Sequence, residues 1–86
     1  MRTEKPIVIG VGELLWDLFP SGKRLGGAPA NFTFHAQQLG ASGYIISVVG
    51  SDDNGDQILN LLVQKGMNVD FIAQLDKIPT GTVTVL

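Results

Sequence analysis

The sequence contains no cysteine. That excludes disulfides, thiolate zinc sites and a thiol nucleophile. It holds a single histidine, His35, too few to build a His-rich metal site. Charge of either sign is sparse and unclustered: Lys and Arg total 6, Asp and Glu total 8, and the net charge is −2. Nucleic-acid binding needs clustered Lys and Arg, so no nucleic-acid partner is expected. Long apolar runs are missing too. None approaches the roughly 20 residues that a membrane-spanning helix requires, and no membrane partner is expected. The opening Met1-Arg2-Thr3-Glu4-Lys5-Pro6 lacks the apolar region and cleavage site of a signal peptide, which makes a cytoplasmic location the default. Length is the last shortage. At 86 residues the chain is one domain at most. So small a chain buries a limited fraction of its surface, and marginal stability is expected.

What is present is patterned. Hydrophobic residues make up 44% of the chain, a globular and not a disordered share. Ile7-Val8-Ile9-Gly10-Val11-Gly12 is a β-branched run bounded by Pro6, and it predicts a fully buried strand of a parallel sheet. Its two glycines invite a dinucleotide-binding reading. The Gly-x-Gly-x-x-Gly pattern then needs glycine at position 15, where Leu15 stands, so that reading fails. Glu13 to Leu18 follows the strand, and Phe19 to Arg24 reads as a turn marked by Pro20, Ser21 and Gly22.

The stretch Gly26-Gly27-Ala28-Pro29-Ala30-Asn31 is the centre of the chain. Adjacent glycines allow a tight bend and close approach to a ligand. Pro29 suits the first turn of a helix that runs to Leu39 and is closed by Gly40. The Gly pair therefore precedes a helix N-terminus, whose free N–H groups favour an oxygen-rich ligand. Phe32, Ala36 and Leu39 share the spacing of one helix face and are expected to pack inward, while His35 receives no role.

A second buried strand spans 43–50, and with the first strand and the helix it predicts a parallel crossover unit. The acids of Ser51-Asp52-Asp53-Asn54-Gly55-Asp56 lack the spacing and terminal Glu of an EF-hand loop. Helix capping by Asp52 or Asp53 is their expected role. Ile58, Leu59, Leu62 and Val63 stripe an amphipathic helix over 53–65, stopped by Gly66. A third strand covers 71–75, and 80–86 alternates Thr with Val as a last strand with one wetter face. That final strand needs a partner or remains an exposed edge.

With these residues in place, the chain resembles the ribokinase-like (PfkB-type) carbohydrate kinases. Gly26-Gly27-Ala28-Pro29-Ala30-Asn31 with Leu39-Gly40 is similar to that family's N-terminal signature and closest to the wording of fructokinases. Gly12-Glu13-Leu14-Leu15-Trp16-Asp17 resembles its first strand and sugar-binding Asp. Val49-Gly50-Ser51-Asp52-Asp53-Asn54-Gly55 resembles its Val-Gly-x-Asp-x-x-Gly turn, and Pro79-Thr80-Gly81-Thr82 the start of a later strand. The resemblance implies an α/β fold, the N-terminal portion of a doubly wound three-layer sandwich. Residues 1–86 would be the sugar-binding part of one incomplete kinase domain. It implies that Asp17, Gly27 and Asn31 grip a sugar while Gly26 and Ala28 shape the pocket. ATP and Mg2+ would serve the full-length parent, bound mainly by residues absent here.

The resemblance also sets limits. The family's catalytic Asp lies in a Gly-Ala-Gly-Asp turn, and no such turn occurs in these 86 residues, so no catalytic residue is assigned. Many members insert longer lid strands between the positions of Asp17 and Gly26. The short link here predicts no extensive lid and argues against a dimer built through one, although a homodimer stays open. Two alternatives remain beside the sugar kinase: a nucleoside kinase of the same fold, and a non-catalytic binding or interaction module that adds its last strand to a partner sheet.

Overall fold

A computed structural model describes residues 5–86; the residues before Lys5, which carry most of the signal-peptide argument, lie outside the described residues. Eight elements follow in order: β1 (Ile7–Val11), β2 (Leu15–Phe19), β3 (Gly22–Gly26), α1 (Ala28–Gln38), β4 (Ser42–Gly50), α2 (Asp53–Gln64), β5 (Ile72–Leu75) and β6 (Gly81–Thr84). They build two three-stranded sheets, β1-β4-β5 and β3-β2-β6.

The first sheet is parallel throughout, with β4 in the middle. β1, α1 and β4 form the predicted parallel crossover unit, and Ile9 lies opposite Tyr44 in its register. Both helices pack on one face of this sheet. Ile45 and Val49 of β4 point into that layer and meet Ile58 and Leu62 of α2, all four buried. The stripe predicted for α2 is therefore its packing face, except that Val63 points outward. Asp52 caps α2, accepting from the Gly55 N–H at 2.7 Å. Gly66, at φ 76, ends the turn after the helix.

α1 faces the sheet differently from the prediction. Phe32 is 61% exposed and Leu39 90% exposed, while Pro29, Ala30 and Thr33 are buried. The reason is steric. Thr33 wedges between Gly10 of β1 and Gly43 of β4, where the strands carry no side chains, so the helix lies close to the backbone. A large aromatic would hold it away.

β1 also departs from its expected full burial. Gly10 is buried, but Ile7 and Val11 are 68% and 70% exposed. These side chains belong to the opposite face of the sheet, where Ile9, Ile46 and Val48 also lie open. No element among the described residues covers that face. The chain supplies two layers of the expected three-layer arrangement.

The largest correction concerns residues 15–26, of which Phe19 to Arg24 read from the sequence as a turn. They form a β-hairpin, β2 antiparallel to β3, with Phe19 opposite Gly22 across Pro20-Ser21. Polar and charged residues on β3 masked the strand pattern. β6 then adds to β2 in parallel, with Leu15 opposite Gly81, so the last strand has the partner it needs on one side. A short second sheet thus exists where none was expected.

Candidate functional site

Alternation along β2 sends Leu15, Asp17 and Phe19 to one face of the hairpin, and Trp16 and Leu18 to the other. The Trp16 face is the inner one. Trp16 and Leu14 are buried in the core, and the indole Nε1–H donates to the Asn54 carbonyl at 2.9 Å. This docks the hairpin onto the first turn of α2 and turns the Asp17 carboxylate outward. Arg24 is its cross-strand neighbour. A Cβ on Gly26 would sit 2.5 Å from Asp17 Oδ2, so glycine there leaves the carboxylate its space.

The next residue, Gly27, has φ 108, and a Cβ on it would collide with the Glu13 carbonyl oxygen. Both facts demand glycine. Gly27 is also the N-cap of α1, and it makes no side-chain capping bond; the first turn carries no acid. α2 contrasts sharply, with Asp52 closing its N-terminus. The start of α1 therefore keeps donors and partial positive charge for an outside acceptor.

The structure brings Asp17, Gly26 and Gly27 together at one corner. Ala28 is exposed at the helix start beside them. Asn31 is exposed further along the first turn, where it lines a groove that includes Trp16 but not Asp17. A carboxylate that only accepts, beside N–H groups that only donate, complements hydroxyls that do both.

Two further residues near this corner, Glu13 and Thr80, receive no role from the sequence. Glu13 extends its carboxylate toward β6, where Oε1 would lie 3.5 Å from a Cβ on Gly81. Thr80 is buried and bonds on three sides. Its hydroxyl donates to Asp52 Oδ1 at 2.6 Å and accepts from the Gly50 N–H at 2.9 Å, while its own N–H donates to Asp52 Oδ2 at 2.9 Å. The Thr80 hydroxyl, then the N–H groups of Thr80 and Gly55, hold the Asp52 carboxyl below its ordinary pKa. The sequence offered only the Pro79-Thr80-Gly81 strand start as a signal, and nothing that paired Thr80 with Asp52. Among the described residues, no group of three or more His, Asp or Glu is disposed to hold a metal ion. No helix among them is long and apolar enough to cross a membrane.

The fold is that of an α/β protein, and the corner lies beside strand ends and a helix N-terminus. The model of the pfkB family carbohydrate kinases matches residues 19–86, and the chain belongs to that family. It is 34% identical over 79 residues to "Probable fructokinase-6, chloroplastic" of Arabidopsis thaliana, covering 78% of this chain and 21% of that protein. The crystal structure of an uncharacterized sugar kinase from Pyrococcus horikoshii superposes with a TM-score of 0.87 at 31% identity, over 93% of this chain and 30% of that one. Halothermothrix orenii fructokinase gives a TM-score of 0.81 at 26% identity, over 93% and 33%. The fold is thus the N-terminal portion of the ribokinase-like α/β fold. Structures of similar kinases have been solved in complex with ATP, and with ATP and Mg2+. The chain spans between a fifth and a third of the length of these relatives.

Proposed function

We propose that residues 1–86 are the N-terminal, sugar-binding part of an ATP-dependent, fructokinase-like kinase that phosphorylates a sugar hydroxyl. The observation that carries this reading is the Asp17 carboxylate over Gly26, beside the uncapped start of α1. In it, Asp17 accepts hydrogen bonds from sugar hydroxyls. The N–H groups of the first turn of α1 donate to the sugar's oxygens, and the Asn31 amide can do either. Gly26 and Ala28 shape the wall. The work of this part is positioning, because phosphoryl transfer needs the acceptor hydroxyl held in line.

ATP and Mg2+ belong to the whole enzyme in this reading. The residues present here do not fit them: the sequence has neither a Gly-Ala-Gly-Asp turn nor a Gly-x-x-x-x-Gly-Lys loop, and the described residues hold no acidic cluster for a metal. No chemical step is assigned to this chain.

The test is a titration of the purified chain with D-fructose, D-ribose and adenosine, followed through backbone amide resonances. Fructose is expected to move Asp17, Gly26, Gly27, Ala28 and Asn31. Asp17→Asn should weaken binding about tenfold or more, the worth of a hydrogen bond to a charged group. Response to adenosine alone would favour the nucleoside kinase. ATP-dependent phosphorylation by the chain by itself would overturn its assignment as a non-catalytic part.

A further inference from the structure

A second concave site lies on the other side of the hairpin from Asp17. It is a groove of about 500 Å³ between β2–β3, α1 and α2. That size falls within the range of small-molecule sites, and so does its make-up: an apolar floor with few polar groups. Leu25, Phe34 and Leu61 form the floor, and all three are partly buried against the core.

The polar groups are Asn31 and two ammonium ions, those of Lys23 and Lys65. Lys23 Nζ lies 4.5 Å from the centroid of the Trp16 ring, and Lys65 Nζ lies 4.8 Å from that of Phe34. Ring faces attract cations, so each lysine is held over the groove by an aromatic side chain. Lys23 donates to Asn54 Oδ1 at 2.9 Å, an acceptor without charge. An ammonium has three donors, so that bond leaves two. Arg24 also borders the groove, but its guanidinium lies over Phe19, on the Asp17 face, and adds no charge inside. Two cations at the mouth of an apolar groove, on a chain of net charge −2, point to one ligand class.

We propose that this groove binds a small organic anion, a carboxylate or phosphate ester with a flat apolar body. The anionic group bridges Lys23 and Lys65 while the body rests on Phe34, Leu25 and Leu61. The site is distinct from the sugar-binding reading at Asp17, Gly26, Gly27 and Ala28, none of which lines it; Asn31 is the one residue the two share.

Trp16 is the only tryptophan in the chain, so its emission reports on the groove directly. Phenyl phosphate is the probe, with inorganic phosphate and phenol as separate arms. Phenyl phosphate should shift Trp16 emission saturably, and each half-ligand should bind at least about tenfold more weakly. Lys23→Gln and Lys65→Gln should each weaken phenyl phosphate about tenfold, the worth of one charge-assisted hydrogen bond. Asp17→Asn should leave its affinity unchanged. Ligand-observed NMR on the same variants gives an affinity that does not depend on the lysine's own effect on Trp16. No saturable binding, or equal affinity in wild type and the Lys23→Gln/Lys65→Gln double variant, would overturn the site.

Discussion

Thr33→Val is expected to stabilise this protein. Thr33 sits in mid-helix, fully buried between Gly10 and Gly43, and its Oγ1 has no hydrogen-bond partner. Leaving a hydroxyl buried and unpaired costs about 1–3 kcal/mol on mutational evidence. Valine keeps the branched shape and has nearly the same helix propensity. The opposing effect is steric. The site is tight against Gly10, and a methyl is larger than a hydroxyl, so overpacking takes back about 1 kcal/mol. The net gain is then about 1 kcal/mol, which for a chain of this size raises Tm by about 4–8 °C. Urea and thermal unfolding followed by Trp16 emission and far-UV circular dichroism would measure it. Thr33→Ser serves as the control that keeps the hydroxyl. If Thr33→Val lost 1 kcal/mol or more while Thr33→Ser kept wild-type stability, the hydroxyl would have to be bonded in solution, and the reasoning would fail.

Ile58→Ala should cost about 2–5 kcal/mol, because it empties a fully buried position under β4; a shifted urea midpoint at unchanged slope would confirm a loss confined to the native state. Gly27→Ala should destabilise by more than about 1 kcal/mol, since φ 108 and the Glu13 carbonyl both exclude a Cβ, and unfolding midpoints would show it. Acid titration should expose Asp52. Its carboxyl is held low when folded, so the stability it contributes is present above the ordinary carboxylate range and lost as pH falls through it to the folded value. Asp52→Asn should flatten that part of the stability–pH curve, and an unchanged slope would count against the Thr80 bonds.

The parts of the fold that were legible in the sequence are those whose pattern comes from burial. Ile45, Val49, Ile58 and Leu62 repeat at strand and helix spacing because one face of each element meets the core. Gly40 and Gly66 end their helices at positive φ, as their positions promise. The hairpin was not legible. Lys23 and Arg24 on β3 read as a polar turn, and Asp17 on β2 breaks an apolar run. The hairpin is held instead through β2, by Trp16 docking on Asn54 and by pairing with β6, which is distant in sequence. The face of α1 was misread for a related reason. Spacing points to Phe32 and Leu39, but the absence of side chains at Gly10 and Gly43, a property of the partner strands, selects Thr33. At the candidate site the glycines and Asp17 stood out by residue type. The Asp52–Thr80 contact spans all of α2, β5 and the loops on either side of that strand, and no local pattern could announce it.

That contact and the Trp16 bond share an address. Asn54 accepts from β2, and Asp52 grips the residue before β6, so both bonds end at the first turn of α2. The Asn54 side chain also accepts from Lys23 of β3. All three strands of the second sheet are thus pinned to one turn of one helix, which acts as a keystone. A change that unwound that turn would loosen the whole second sheet at once, and the Asp17 carboxylate with it.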